Sequence, residues 1–241
     1  MRGIIDTHSH ILPGLDDGAS DLRESIRMLR QAQNQGIAGV IATPHYSGRF
    51  QNVCPDRIRS LCREVQEQTR AELKKEIHIW PGQEIMYSEE VVSLLEEGKL
   101  LTIADSRYVL VEFMPVMPYS YIFRAVKEMT LAGYRPVLAH AERYPALREA
   151  GRVKELKEHG ACVQLNFRPI GGKWYYDTTK WCRKMLRERN VDFLGTDMHN
   201  SEGRRPEIEK GAKWLKKSLA SDYIKKLLNE NALKMLKDKE L

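Results

Sequence analysis

The sequence predicts an α/β protein in which helices sandwich or ring a parallel sheet. Seven short apolar stretches of strand length alternate with longer segments whose apolar residues recur at helical spacing. Alternation of this kind is typical of βα units, whose parallel strands are covered by helices. No linker rich in proline, glycine or charge divides the 241 residues. We therefore expect residues 1–241 to form one domain.

The elements follow one another regularly along the chain. The first strand begins at Ile4, and Asp21 with Glu24 forms a capping box that starts the first helix. The stretch 167–173 is predicted to be a loop, and the polar loops 46–54, 114–119 and 168–173 are candidates for substrate selection. Further strands are predicted at 37–43, 77–81, 108–111, 136–139, 161–165 and 191–196. Helices are predicted at 21–36, 55–73, 88–97, 119–132, 153–159, 174–189, 206–217 and 221–237.

Charge and cysteine content narrow the class of protein. The net charge is +6, but the basic residues of 204–239 are interleaved with Glu and Asp, which favours solvated helix faces over nucleic-acid binding. A basic surface also suits an anionic or phosphorylated partner. The four cysteines lie far apart, as expected for reduced thiols. The sequence shows no leader and no apolar run of membrane-spanning length, so we expect a cytoplasmic protein without membrane insertion.

The N-terminal strand carries two histidines that are candidate metal ligands. Side chains alternate between the two faces of a strand, so His8 and His10 point the same way. The polar turn that follows contains Asp16 and Asp17, and it can bring a carboxylate back towards the same point. The turn does not show what Asp16 does. An H-x-H pair is a weak signal by itself, so the later strands must decide.

Most of the later strands also end in a histidine or a carboxylate. In parallel α/β folds the active site gathers at the carboxyl ends of the strands. Polar residues that merely terminate strands are the alternative, but they would not be so uniformly His, Asp and Glu. The sixth strand instead ends in Asn166, which suits a hydrogen bond to a ligand. The candidate ligands are His8, His10, Asp17, His45, Glu84, Glu112, His140, Asp197 and His199.

This ligand set is too large for one ion and indicates two or three. A catalytic metal takes about three or four protein ligands and keeps a position for water. Imidazole and carboxylate without thiolate favour manganese, iron or zinc over copper and do not choose among the three. Two adjacent ions can share a hydroxide that attacks phosphorus, which is what phosphoester hydrolysis requires.

The segments that carry these residues resemble the polymerase and histidinol phosphatase (PHP) family of metal hydrolases over nearly the whole chain. They are D-T-H-S-H-I with L-D-D-G, T-P-H-Y, G-Q-E-I, D-S-R-Y-V-L-V-E-F, V-L-A-H-A-E-R-Y and G-T-D-M-H-N. The branch they resemble comprises manganese-dependent bacterial protein tyrosine phosphatases, which act on the tyrosine kinases of capsular and exopolysaccharide synthesis. The resemblance implies a distorted (β/α)7 TIM-like barrel of the PHP type that holds three metals.

The resemblance also implies a role for each candidate residue. One ion would take His8, His10, Glu84 and Asp197; Glu84 would bridge to a second ion held by Glu112 and His140; and Asp17, His45 and His199 would hold the third. Arg143 and Arg204 match arginines that hold the substrate phosphate, although Arg204 stands beside Arg205 and either residue of the pair could be the one that acts. Surface charge is the alternative interpretation of these arginines.

Other functions remain open at this point. A histidinol-phosphate or other small-molecule phosphatase would have much the same metal site. A PHP nuclease and a non-catalytic phosphotyrosine-binding partner of the kinase are alternatives from other classes. The spacing from Cys162 to Arg168 is that of cysteine-dependent tyrosine phosphatases, but the stretch between them lacks glycine and is mostly strand. We treat it as coincidence, because a strand cannot turn successive N–H groups towards a phosphate.

Overall fold

The computed structural model describes residues 3–50, 53–73 and 75–241, so positions 51 and 52 of the predicted loop 46–54 lie outside the described residues. All paired strands run parallel, and the pairing follows chain order. The described strands are β1 (Ile4–Ser9), β2 (Ile37–Ala42), β3 (His45–Tyr46), β4 (His78–Pro81), β5 (Glu84–Met86), β6 (Tyr108–Glu112), β7 (Arg135–Leu138), β8 (Cys162–Asn166) and β9 (Phe193–Gly195).

The seven predicted strands are all present, and two short strands that were not predicted, β3 and β5, follow β2 and β4. Thr43 and Pro44 separate β2 from β3, where proline has no N–H to donate to a neighbouring strand. Gly82 and Gln83 separate β4 from β5. The strands therefore divide into a three-stranded sheet, β1-β2-β4, and a six-stranded sheet, β3-β5-β6-β7-β8-β9.

The last strand returns to the side of the first. His10 N donates to Met198 O at 2.9 Å, and Asp197 N donates to His8 O at 2.9 Å. Glycine at position 195 permits this approach, because a Cβ there would lie 2.6 Å from the Cβ of His8. The two sheets thus form a distorted barrel, and the predicted α/β barrel fold is confirmed.

Helices cover the outside of the strands. The first helix begins after Asp21, whose side chain accepts a hydrogen bond from Glu24 N as the capping box predicts. The predicted loop 167–173 is partly wrong, because Phe167 and Ile170 are buried and lie in a short helix. The described α-helices are α1 (Leu22–Asn34), α2 (Pro55–Glu72), α3 (Val91–Glu96), α4 (Tyr119–Leu131), α5 (Arg152–Glu158), α6 (Phe167–Ile170), α7 (Asp177–Arg187), α8 (Glu209–Ser218), α9 (Ser221–Lys225) and α10 (Asn231–Met235), and a π-helical turn, Lys226–Glu230, joins α9 to α10.

The apolar core lies between the strands and the helices. The largest fully buried side chains include Tyr108, Phe113, Phe167 and Phe193, which come from strands or from the residues that directly follow them. Polar side chains are buried mainly at the carboxyl ends of the strands, where the candidate ligands lie. In the described ranges no helix is both long enough and apolar enough to cross a membrane.

Candidate metal centre

The two histidines of β1 point at the same spot, as their alternation predicts. Both side chains are fully buried, and their Nε2 atoms are 3.2 Å apart. Glu84 at the start of β5 reaches this spot, with its Oε2 lying 3.1 Å from His8 Nε2 and 3.2 Å from His10 Nε2. Asp197, just after β9, also reaches this spot, and its Oδ1 lies 3.6 Å from His10 Nε2. These four side chains are those predicted to hold the first ion.

Glu84 is also the centre of the second group. Its Oε1 lies 2.8 Å from His140 Nε2, and its Oε2 lies 3.0 Å from His45 Nδ1. Glu112 Oε1 approaches His140 Nε2 at 3.4 Å, and Glu112 Oε2 is 3.8 Å from His45 Nδ1. Glu84 therefore faces both predicted ion positions, which is the geometry that a bridging carboxylate needs.

Asp17 connects the N-terminal turn to the third group. Its Oδ1 lies 3.3 Å from His199 Nε2 and 3.5 Å from His45 Nε2. The side chain of Asp17 is 48% exposed, whereas that of His199 is buried. His10 lies within reach of the same three residues. The structure thus brings together all nine predicted ligands, and His45 lies between the second and third groups.

The donor set fits divalent cations. Four overlapping groups place one nitrogen or oxygen from each member within 4.8 Å of the others. Two buried atoms that face these groups, Glu84 Oε2 and His199 Nε2, accept or donate no well-aligned hydrogen bond. An unpaired buried polar atom is costly unless another partner satisfies it, and a cation would do so. The groups are His10 with Asp17, His45 and His199; His8 with Glu84 and His140; His8 with His10 and Asp197; and His45 with Glu84 and Glu112.

The charges of the cluster support the same conclusion. Burial raises the pKa of Glu84 and Asp197, but His8 and the other imidazoles outweigh it and hold both carboxyls well below their usual range. Burial lowers the pKa of His10, yet Asp16 and Glu84 raise it to about 10. Hydrogen bonds to Glu112 and Glu84 similarly raise the pKa of His140 to about 9. Without a metal these histidines hold protons, which a cation would replace.

Two arginines stand at the entrance to the cluster. The guanidinium of Arg143 forms a short ion pair with Asp197 Oδ2, and Arg204 Nη2 lies 3.1 Å from Asp197 Oδ1. Arg204 Nη1 also approaches Asp17 Oδ2 at 3.4 Å. Both arginines line a cleft of about 570 Å³ that leads outwards from Asp197, and Arg205 lies on the same cleft. Arg143 and Arg204 are therefore placed where a phosphate approaching the cluster would meet them.

Comparison with known proteins identifies the family. The model of the capsular polysaccharide synthesis CpsB/CapC family matches residues 4–237. The chain belongs to the CpsB/CapC family. Among its relatives, the tyrosine-protein phosphatase YwqE of Bacillus subtilis is 32% identical over 99% of this chain and 93% of its own. The tyrosine-protein phosphatase CpsB of Streptococcus pneumoniae is 30% identical over 98% of this chain and 99% of its own.

Solved structures agree with the family assignment. One from the study of YwqE and CpsB, which are metal-dependent tyrosine phosphatases, superposes with a TM-score of 0.90 at 31% identity, covering 99% of this chain and 96% of that one. The phosphotriesterase homology protein of Escherichia coli has a TM-score of 0.66 at 12% identity, covering 97% and 98%. At that identity the likeness concerns the fold alone.

Asp16, whose role the sequence left open, holds two of the histidines of this CpsB/CapC chain. Its Oδ2 accepts a hydrogen bond from His10 Nδ1 at 2.8 Å and another from His45 N at 2.9 Å. Its Oδ1 accepts a third from Gly18 N at 2.9 Å. A carboxylate on the far nitrogen of a ligand histidine fixes the ring and its tautomer. Asp16 thus orients His10 and ties it to the first residue of β3, His45.

Strand β8, the sixth predicted strand, also carries residues that hydrogen-bond to candidate ligands. Asn166 Nδ2 donates to Asp197 Oδ2 at 3.0 Å, as predicted for this residue. Gln164, which the sequence reading missed, has its Oε1 2.5 Å from His140 N and 3.3 Å from His8 Nδ1. Period-two alternation was the signal available, because Gln164 and Asn166 share a face of β8. Asp6, on the face of β1 that carries His8, is likewise buried and accepts a hydrogen bond from Thr196 N at 2.8 Å.

Cys162 and Arg168 do not form a phosphate loop. Cys162 is the first residue of β8, so it lies at the opposite end of that strand from the metal cluster. Burial raises the pKa of its thiol well above the usual range. The residues between it and Arg168 continue the strand and enter α6. A buried neutral thiol cannot act as a nucleophile, so the coincidence inferred from the sequence is supported.

Proposed function

We propose that this protein is a metal-dependent protein tyrosine phosphatase. The observation that carries the proposal is the position of Arg143 and Arg204 on Asp197, at the point where the buried ligand cluster opens into a cleft. Such an arrangement places phosphate-binding groups beside candidate metal ligands. Membership of the CpsB/CapC family, whose relatives YwqE and CpsB are tyrosine-protein phosphatases, supports the same activity.

We assign the metal ligands as the resemblance implied. The first ion would be held by His8, His10, Glu84 and Asp197, the second by Glu84, Glu112 and His140, and the third by Asp17, His45 and His199. Manganese is the metal we propose, with iron and zinc as alternatives that the same donor atoms accept. When bound, such cations lower the pKa of water and neutralise the charge of a phosphate ester.

The residues of the chain then bind and orient the substrate. Arg143 and Arg204 would donate hydrogen bonds to the non-bridging phosphate oxygens and stabilise the charge that develops on them. Asp16, Gln164 and Asn166 hold the ligands His10, His140 and Asp197 in place. The tyrosine leaving group has a pKa of about 10, so it departs with less need for a proton than an alkyl alcohol would.

We further propose that the substrate is a phosphotyrosine-bearing bacterial tyrosine kinase of polysaccharide synthesis, encountered in the cytoplasm. The family name associates its members with capsular polysaccharide synthesis. The cleft also extends beyond the two arginines, which gives a polypeptide room to bind beside the phosphorylated side chain.

A comparison of substrates tests the activity. With manganese, we expect turnover of a phosphotyrosine peptide to exceed that of histidinol phosphate and of a DNA end, and a chelator to abolish it. Asp197→Ala should lower kcat/KM by more than about a hundredfold, because it removes a candidate ligand and the partner of both arginines. Asp222→Ala removes an exposed carboxylate on α9 and serves as the matched control. Preference for histidinol phosphate, or activity that survives chelation, would refute the proposal.

A further inference from the structure

The cleft that leads from Asp197 continues well past the two phosphate-facing arginines. Its inner end is formed by Asp197, Arg143 and Arg204. Its outer part is lined by three further arginines and several prolines. We call this part the outer cleft and define it by Arg148, Arg168, Arg205, Pro145, Pro169 and Thr178.

The outer cleft carries unbalanced positive charge. Arg205 is exposed, and within the described ranges it has no ion pair or hydrogen bond through its side chain. Arg168 is half exposed; its Nη2 donates to Gly203 O at 3.1 Å, and its Nε lies 3.4 Å from Glu207 Oε2. Arg148 stacks on Trp181, its guanidinium carbon being 4.4 Å from the ring centre. Glu142 also lines the cleft, but it is buried, whereas Arg168 and Arg205 are exposed, so anionic groups of a ligand would be attracted there.

Three exposed aromatic side chains stand in the segment that leads into α7. Trp174, Tyr175 and Tyr176 are 74%, 47% and 52% exposed, and they directly precede α7, on which Thr178 lines the cleft. The segment is anchored rather than free at its base, because Arg183 Nη2 donates to Gly172 O at 3.1 Å. Three consecutive aromatic residues held outwards expose a large apolar surface, which in soluble proteins commonly marks an interaction site.

A second apolar segment lies on the same cleft. Pro115, which follows β6, lines it, and its neighbours Met114 and Val116 are 50% and 79% exposed. These two segments fall in or beside the loops 114–119 and 168–173 that the sequence marked for substrate selection. A single phosphorylated side chain needs only the inner end, so the outer cleft and its aromatic border suit a larger ligand.

We propose that the outer cleft binds the polypeptide that flanks the phosphotyrosine and selects flanks rich in acidic residues. This inference rests on the proposed phosphatase function and adds the recognition of sequence around the phosphorylated residue. Arg168 and Arg205 attract the acidic side chains, and Trp174 with Tyr175 and Tyr176 packs against the peptide. Charge complementarity favours an acidic polypeptide, and the rigid aromatic groups supply contact area at little entropic cost.

Steady-state kinetics with matched peptides test the proposal. Two phosphotyrosine peptides of equal length, one with Asp and Glu flanks and one with Asn and Gln, are compared with phenyl phosphate. At low salt we expect kcat/KM to be about tenfold higher for the acidic peptide, and we expect high salt to remove the difference. Arg205→Ala should lower the acidic-to-neutral ratio about threefold. Trp174→Ala should lower kcat/KM for both peptides about fivefold relative to phenyl phosphate.

Two controls keep these variants interpretable. Arg63→Ala removes an exposed arginine from α2, and Leu131→Ala removes an exposed apolar side chain from the end of α4. Neither lines the cleft, so neither should change the ratios. Equal kcat/KM for the two peptides at low salt would overturn the proposal. The proposal would also fail if Trp174→Ala lowered kcat/KM for phenyl phosphate as much as for the peptides. It would fail as well if a single-stranded oligonucleotide inhibited peptide turnover through Arg205 while acidic flanks made no difference.

Binding measurements separate this inference from the proposed function. Fluorescence anisotropy of the same labelled peptides reports affinity without turnover. If no phosphate ester is hydrolysed but the acidic peptide still binds more tightly, the phosphatase proposal fails and the outer-cleft proposal stands. If both peptides are hydrolysed and bind equally, the outer-cleft proposal fails and the phosphatase proposal stands.

Discussion

Replacing Asp16 with asparagine tests whether the metal centre depends on a residue that is not itself a proposed ligand. In the native chain Asp16 accepts three hydrogen bonds, from His10 Nδ1 at 2.8 Å, His45 N at 2.9 Å and Gly18 N at 2.9 Å. An amide keeps the shape but has one acceptor oxygen. Whichever way it turns, its NH2 group faces at least one of these N–H donors.

The size of the effect follows from these contacts. A hydrogen bond to a charged group contributes about 1.5–3 kcal/mol, and losing the support of a metal-binding histidine typically costs 10–100-fold in metal affinity. We therefore expect Asp16→Asn to weaken manganese binding by roughly 10–100-fold, or about 1.4–2.7 kcal/mol. Asp16 is also one cause of the raised pKa of His10, so the substitution lowers that pKa. Protons then compete less with manganese for His10 near pH 7. The loss of affinity should consequently be larger at pH 9 than at pH 7.

The assay is a competition titration of manganese against a chromogenic chelator at both pH values, followed by kcat measured at saturating metal. Asp21→Asn is the matched control, because it makes the same chemical change at a helix N-cap, where Asn and Asp are equally good. If Asp16→Asn binds manganese as tightly as Asp21→Asn at both pH values, Asp16 does not position His10 and the argument fails.

Three further predictions concern the pH dependence of stability, the role of Gln164 on β8 and the role of the Cys162 thiol. The chelated protein should have a Tm that falls as pH rises from about 6.5 towards 10, because the raised pKa values of His10 and His140, about 10 and about 9, contribute stability only while both are protonated; calorimetry showing a constant or rising Tm would contradict this. Gln164→Leu should lower manganese affinity about 10–100-fold, since it removes the acceptor for His140 N; unchanged affinity in the same titration would exclude a positioning role. Cys162→Ala should keep kcat/KM within about twofold, because the thiol is buried and outside the site, and a larger loss in the phosphotyrosine assay would reopen the thiol mechanism.

The order of strands and helices was predictable because each strand is a short apolar run and each helix has an apolar face. α1 illustrates this, since its cap at Asp21 and its end before Gly36 both have local signals. Segments with weaker local signals were less predictable. The helix predicted at 88–97 is shorter than expected, because α3 begins at Val91 after Glu90. The short helix α6 is stabilised by burial of Phe167 and Ile170, which depends on tertiary packing that a local pattern does not contain.

The candidate ligands were predictable for a different reason. In a parallel barrel the carboxyl ends of all strands meet, so residues far apart in sequence become neighbours by topology alone. Glu84 and His140 show this, since 56 positions separate two residues that lie within hydrogen-bonding distance. The residues that hydrogen-bond to the candidate ligands were harder to predict, because their role depends on the direction of the side chain. Asp16 and Asp17 are adjacent, yet one holds His10 from behind while the other faces His45 and His199.

Backbone conformation at two of the proposed ligands shows why local preference could not have located the site. His140 and Asp197 have φ values of 31° and 53°, in the left-handed region that costs most residues about 1–2 kcal/mol. Each stands just after its strand, and each backbone N–H is fixed, His140 N to Gln164 Oε1 and Asp197 N to His8 O. Glycine would adopt these angles without strain but would supply no ligand. The strain is therefore retained where the side chain faces the cluster, and the hydrogen bonds from β8 and β1 offset it.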